Sequence, residues 1–114
     1  MSKITGNAKR LRIYIGEEDR WDGETLYNAI VRKARDLDLA GASVFRGLMG
    51  YGAHSRIHTA KFLISEDMPI LIEIVDSEEY INKILPYLDE MILEGLVIID
   101  DIEIVKYGKR RNES

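Results

Sequence analysis

The chain has 114 residues, of which 46% are hydrophobic and 32% charged, a composition typical of one small globular domain. Its 16 basic and 20 acidic residues give a net charge of -4, which argues against a dedicated nucleic-acid-binding protein. The absence of cysteine excludes disulfides, thiolate metal ligands and cysteine nucleophiles. Neither a membrane span nor a secretory signal is evident, so we expect a cytoplasmic protein without membrane insertion. Glutamine is also absent while Ile and Glu are abundant, a thermophile tendency.

The first two elements along the chain are a strand and a helix. Apolar and polar residues alternate over residues 9–15, which predicts a half-buried strand after a flexible leader at residues 1–8. Asp22 is a suitable N-cap, and the apolar residues that follow it at helical spacing predict an amphipathic helix. Gly41 is the expected stop of that helix.

The middle of the chain predicts two strands separated by a loop. Residues 42–50 are rich in Val and Phe and end in glycines, as a second strand would. Residues 51–60 are polar and contain glycine, so we expect a mobile loop there. Alternating isoleucines over residues 69–75 predict the third strand.

A second amphipathic helix follows the third strand. Asp76 and Ser77 are both candidate N-caps, and Asp76 has capping-box spacing to Glu79. Pro86 lies inside the apolar stripe, where it removes a backbone hydrogen bond, so we expect a kink or a break there.

The last strand is predicted in two pieces. Residues 96–99 have the composition of a buried strand, Asp100 and Asp101 interrupt it, and residues 102–107 alternate again. Residues 109–114 are polar and basic and predict a flexible tail.

The order β-α-β-β-α-β predicts an α+β fold, a ferredoxin-like sandwich, with one domain over residues 9–108. We expect an antiparallel sheet in strand order 4-1-3-2 with both helices on one face. Bulky residues such as Phe45, Leu71 and Val75 point to the other face, and packing against neighbouring copies would cover them.

The most informative local motif is a glycine cluster. Gly47, Gly50 and Gly52 follow Arg46 at the end of a predicted strand, where backbone N–H groups can approach an anion closely. Glycine-rich turns are, however, more often just turns, with a glycine at a positive φ. The spacing matches neither a Walker loop nor a dinucleotide fingerprint.

Other polar clusters carry weaker signals. His54 and His58 lie in the predicted loop without further ligands, so we expect no metal site. The carboxylate groups at 17–19, 78–79 and 100–101 are interpreted as solvated faces, and the basic residues at 109–111 as a solubilising tail. No arrangement predicts a catalytic residue or a cofactor, and we expect no enzyme.

Several motifs together resemble an uncharacterised PII-like family, the domain of unknown function number one hundred and ninety. They are Leu11-x-Ile13-Tyr14-Ile15-Gly16-Glu17, Val44-Phe45-Arg46-Gly47-x-x-Gly50-Tyr51-Gly52, His58, Pro69-Ile70-Leu71-Ile72-Glu73-Ile74-Val75-Asp76 and Gly95-Leu96-Val97. The resemblance covers about residues 9–108. That family is similar in fold to the nitrogen-regulatory PII proteins.

The resemblance implies a homotrimer that binds nucleotides in clefts between subunits and contacts a regulated partner protein through the loop after the second strand. Carried over, that loop is residues 51–60. The implied site for a small anionic ligand or nucleotide comprises Arg46, Gly47, Gly50, Gly52, His58 and Lys106. The chain lacks two basic residues that PII proteins carry, because Leu96 and Ile104 stand in their places. Two readings stay open: a regulatory protein, or a structural trimer without a ligand.

Overall fold

The structure is a computed structural model that describes residues 6–51, 57–59 and 67–108, with the backbone alone for 57–59. In chain order its elements are β1 (Gly6–Gly16), β2 (Arg20–Trp21), β3 (Glu24–Thr25), α1 (Leu26–Asp36), β4 (Ala42–Arg46), β5 (Met49–Tyr51), β6 (Ile57–Thr59), β7 (Pro69–Asp76), α2 (Glu78–Met91) and β8 (Leu96–Ile104). No helix among these described residues is long and apolar enough to cross a membrane.

The main sheet has the order β4-β7-β1-β8, and each neighbouring pair is antiparallel. This is the predicted order 4-1-3-2, so the ferredoxin-like α+β fold is confirmed. Two short ribbons, β2–β3 and β5–β6, are additions to that plan.

One face of the sheet carries both helices and holds the core. The inward residues of β1 and β7 pair across the strands, for example Leu11 with Ile74 and Ile13 with Ile72. They are buried together with Ile30 of α1 and residues of α2. The predicted placement of both helices on one face is therefore confirmed, and burial of branched side chains is its driving force.

The opposite face of the sheet, here called the bare face, is covered in a single chain by none of the elements that the structure describes. An apolar row crosses it at one end, made by Phe45, Leu71, Tyr14 and Leu96 in register. Phe45 is 50% exposed and Leu96 is 55% exposed. Ion pairs such as Arg12–Glu73 follow along the strands. This face therefore offers apolar area that another protein surface could bury.

Helix α1 differs from the prediction at both ends. It begins at Leu26 rather than after Asp22, because Asp22 has φ 49° in the turn between β2 and β3. Its N-cap is Thr25, whose side chain accepts no capping bond. The helix ends at Asp36, and the left-handed residue after it is Asp38 with φ 64°, not Gly41.

Helix α2 continues through Pro86 from Glu78 to Met91. Of the predicted kink or break, the break therefore does not occur, and the kink stays a prediction. A proline inside a helix costs about 3 kcal/mol. The apolar stripe continues on both sides of Pro86, and its residues Ile84 and Leu88 are both buried in the core. That burial offsets the lost backbone bond. The N-cap is Ser77, whose Oγ accepts from the amide of Tyr80.

Strand β1 is longer than predicted because it pairs with β7 or β8 along its whole length, whereas β8 ends at Ile104, before the predicted end at residue 107. β8 is continuous across the acidic pair, since Asp100 accepts from Arg10 and Asp101 is bonded to Lys9 on β1. The predicted interruption is therefore wrong. The β1 ladder begins at Gly6, opposite the last residue of β8. The prediction of a buried strand at 96–99 is also wrong, because β8 is an edge strand that the helices do not cover.

Candidate functional site

A cavity of about 480 Å³ lies at the end of the sheet where β4 ends and β7 begins. That volume is within the range of small-molecule sites. Its lining combines the aromatic residues Tyr14, Phe45 and Tyr51, the glycines Gly16, Gly47, Gly50 and Gly95, the charged residues Arg46, Asp19, Asp67 and Glu94, and apolar residues around Pro69. Three of the predicted ligand residues, Arg46, Gly47 and Gly50, are thus brought together at one cavity.

Gly47 and Gly50 are glycines because of the ring of Pro69. A Cβ on either would lie 2.7 Å from Pro69 Cγ, closer than real side chains come. The Gly47 amide also donates to the Pro69 carbonyl oxygen at 2.7 Å. Neither glycine has a positive φ, so the turn explanation given above does not hold for them. The cluster lets β4 and the β5–β6 ribbon pack tightly against the start of β7.

Arg46 is held by an acidic partner. Its Nε donates to Glu17 Oε2 at 3.0 Å, and its side chain is 41% exposed. The Glu17 amide donates to the Met68 carbonyl oxygen, which fixes the backbone there. Glu17 Oε1 is buried and has no hydrogen-bond partner within the described ranges. The cation at the cavity is therefore already partly neutralised.

Two further carboxylates converge over Gly16. Asp19 Oδ2 accepts from the Gly16 amide at 2.9 Å, and Asp67 Oδ1 accepts from the Glu18 amide at 2.8 Å. A Cβ on Gly16 would lie 2.9 Å from Asp67 Oδ1 and 3.2 Å from Asp19 Oδ1. The interpretation of residues 17–19 as a solvated face is wrong for Glu17 and Asp19. No sequence signal connects Asp19 with Asp67, because 47 intervening residues separate them.

The other predicted ligand residues do not join this cavity within one chain. Lys106 follows β8 at the end of the sheet where β1 begins, and β1 from Gly6 to Ile15 spans roughly 30 Å. Gly52 lies outside the described residues, as do residues 1–5 and the tail from 109. His58 pairs by its backbone with Gly50 in the β5–β6 ribbon, which corrects the prediction of a loop there. Its side chain lies outside the description.

Within the described ranges, no group of three or more His, Asp or Glu side chains is placed to hold a metal ion. The cavity thus offers aromatic walls, four carboxylates at or beside it and one arginine. Such a site can bind a small organic molecule by stacking and hydrogen bonding.

Comparisons with known proteins agree with this geometry. The model of the DUF190 family, described as "Uncharacterized ACR", matches residues 8–104. A UPF0166 protein of Methanocaldococcus jannaschii is 40% identical over 100 residues, covering 87% of this chain and 93% of that protein. A UPF0166 protein of Aquifex aeolicus is 33% identical over 98 residues, covering 85% and 92%. The structure of CPII from Thiomonas intermedia K12, bound to ADP and bicarbonate, aligns with a TM-score of 0.64 at 19% identity, covering 88% of this chain and 90% of CPII.

Proposed function

Because this chain belongs to the DUF190 family and has a PII-like fold, we propose that it is a regulatory protein that acts by binding, not by catalysis. It works in the cytoplasm as a homotrimer. It binds a small anionic ligand or a nucleotide between subunits and contacts a partner protein through the segment after β4, about residues 51–60. The residues assigned to the ligand are Arg46, Gly47, Gly50, Gly52, His58 and Lys106.

The observation that carries the proposal is the cavity at the base of that segment. Arg46 and three aromatic residues line it, and its volume suits a ligand of nucleotide size. CPII, which shares the fold, is described as bound to ADP and bicarbonate, and this supports the choice of ligands to test. A ligand at this place would contact the first residues of the segment directly, so binding could change what the segment presents to a partner.

A second copy of the chain supplies the second cation of the proposed site, Lys106, which the cavity of one chain lacks. Arg46 and Lys106 lie at opposite ends of the sheet, so a site that uses both cations needs Lys106 from a neighbouring subunit. The bare sheet face with its row of Phe45, Leu71 and Tyr14 supplies apolar area for such an assembly. Light scattering should give three times the mass of one chain, and a monomer at micromolar concentration would refute the trimer.

Calorimetric titration with ADP, AMP and bicarbonate tests the ligand site. Arg46→Ala should weaken binding about 10- to 100-fold, since a hydrogen bond from a charged group contributes about 1.5–3 kcal/mol. The matched control is Arg32→Ala, which removes a similar arginine–glutamate pair from the helix layer. The control should bind like the parent, and both variants should remain trimers. Equal affinity in parent and Arg46→Ala proteins would eliminate this site.

The alternative is a structural trimer without a ligand. The pairing of Arg46 with Glu17 favours it, because the guanidinium already has an acidic partner when no ligand is bound. An intact trimer that binds none of the three compounds at millimolar concentration would support the alternative. Thermal stability should then be insensitive to all of them.

A further inference from the structure

A second cavity, of about 280 Å³, is lined by residues of α1, α2 and the β2–β3 ribbon, and we call it the helix-layer cavity. It shares no lining residue with the cavity where β7 begins. Its volume is just below the range of about 300–1,000 Å³ that is usual for small-molecule sites. A ligand that fits it is therefore small.

A cation of the chain itself lies over an aromatic ring of this cavity. Lys33 Nζ of α1 is 4.3 Å from the centroid of the Tyr87 ring of α2, and both residues line the cavity. An ammonium group within about 6 Å of a ring centroid is attracted by the negative face of the ring. Lys33 is not among the residues that form salt bridges in the described part of the chain. The cavity therefore attracts a cation through an aromatic ring.

The walls of the helix-layer cavity carry more negative than positive charge. Three carboxylates line it, those of Asp22, Asp36 and Glu90. The positive lining residues are Lys33 and Arg32, and Arg32 is already bonded through both Nη atoms to Glu24, which lies outside the lining. Three carboxylates thus surround one ammonium group, and a surplus of one sign of charge attracts the opposite sign.

We propose that the helix-layer cavity binds a small organic cation, an alkylammonium ion, against the rings of Tyr87 and Trp21. The ion takes the place that Lys33 has in the free chain, and the carboxylates around the cavity balance its charge. This site goes beyond the regulatory function proposed above, since it uses none of the residues assigned there.

The lining favours an alkylammonium ion over a metal ion. No three His, Asp or Glu side chains within the described ranges are placed to hold a metal together. The buried residues Ala29 and Met91 also line the cavity, and they offer apolar area to the alkyl groups of an organic cation. Aromatic rings with carboxylates near them are a recurrent site for methylated ammonium groups.

The fluorescence of Trp21 tests the proposal directly, because Trp21 is the one tryptophan of the 114-residue sequence and lines the cavity. Titration with tetramethylammonium chloride should give a saturable change in that fluorescence. Neither tert-butanol, a neutral molecule of similar shape, nor sodium chloride at equal ionic strength should produce it. A change that either control reproduces would overturn the proposal.

A substitution of Lys33 should strengthen binding, which a merely structural role would not predict. Lys33→Met keeps an apolar stem and removes the competing ammonium group, so it should bind tetramethylammonium about 2- to 30-fold tighter. The matched control is Lys83→Met, which makes the same change in net charge at another ammonium–ring contact, 4.0 Å from the Tyr80 centroid and outside the cavity lining. It should bind like the parent. Unchanged or weaker binding by Lys33→Met would show that no ligand takes the place of Lys33.

The ring of Tyr87 should be necessary, whereas its hydroxyl group should not. Tyr87→Leu should weaken tetramethylammonium binding about 2- to 30-fold, and Tyr87→Phe should retain it. Equal affinities of these two variants would remove the ring from the site. Should Tyr87→Leu fail to fold, Glu90→Gln removes one lining carboxylate with little change in shape and should also weaken binding. Full affinity in Glu90→Gln would contradict the charge balance proposed for the site.

Discussion

The two ends of the sheet use their carboxylates in opposite ways. Where β7 ends, Asp76 is 1% exposed and accepts from two backbone amides, of Ala40 at 2.8 Å and of Ser77 at 2.7 Å. Where β7 begins, Asp67 and Asp19 are half-buried, each accepts one amide, and both line a cavity.

The end of the sheet at Asp76 is structural, whereas the end at Asp67 and Asp19 is available to a ligand. Asp76 ties the connection between α1 and β4 to the start of α2, and its acceptor oxygens face protein donors. The carboxylates at the other end keep acceptor capacity at an accessible surface. A buried carboxylate is tolerated when it is fully hydrogen-bonded, whereas an accessible pair of like charges is retained at a cost in stability.

The largest effect on stability should come from a substitution at Asp76, where β7 ends. Asp76→Ala leaves two amides without acceptors in a buried place, so we expect a loss of about 2–5 kcal/mol in the free energy of unfolding, measured with urea. Asp67→Ala should cost less, because water can replace the carboxylate. The exposed control Asp89→Ala should change stability by less than about 0.5 kcal/mol. Equal losses for Asp76→Ala and Asp67→Ala would remove the distinction between the two ends.

The other end of the sheet, where β7 begins, should be destabilised by added side-chain bulk. Gly47→Ala places a Cβ against Pro69, and overpacking of this kind costs about 1–3 kcal/mol. Pro69→Ala should relieve much of that cost, so a double-mutant cycle should show strong coupling. The control is Gly41→Ala, where nothing lies within 4 Å of the added Cβ. If the two changes at Gly47 and Pro69 are additive, the packing explanation of the glycines is wrong.

Sequence patterns predicted the features that depend on local periodicity. The alternation in β1 and β7 and the helical stripes identify the faces to be buried, and burying them together leaves few arrangements. The errors occur where a tight turn or a distant partner overrides the local pattern. Asp22 is a residue type that often caps helices, but here it lies in the β2–β3 turn. The acidic pair Asp100–Asp101 would interrupt a strand if β1 did not supply Lys9 and Arg10 as partners.

The candidate site was predicted in part. Arg46, Gly47 and Gly50 lie within five consecutive residues, so a composition signal identified them as a cluster. The reason for the glycines was not predictable, because it is the Pro69 ring on another strand. The approach of Asp67 to Gly16 depends on the β1–β7 register, which no short motif encodes.

Asp100 has a charged partner but is not buried, so it shows the effect of an ion pair without that of burial. Loss of this pair should cause the smallest change in stability. It accepts from Arg10 on the bare sheet face, at 2.7 Å for the Nη2–Oδ2 pair, and its side chain is 44% exposed. The hydrogen bond from Arg10 holds the pKa of Asp100 below its ordinary value of 3.8. A lowered folded-state pKa stabilises the fold above the unfolded pKa, and this contribution is lost as pH falls through the folded value.

Arg10→Ala should therefore raise the pKa of Asp100 towards 3.8, measured by NMR titration of its carboxyl carbon. Arg32→Ala serves as the reciprocal control. The Arg32 hydrogen bond lowers the pKa of Glu24, so this variant should raise that pKa and leave Asp100 unchanged. Because salt screens exposed pairs, both shifts should shrink at high ionic strength, whereas the loss caused by Asp76→Ala should not. A salt-independent pKa for Asp100 would mean that solvent ions do not screen the Arg10–Asp100 pair on the bare face. The distinction between exposed and buried carboxylates would then be wrong.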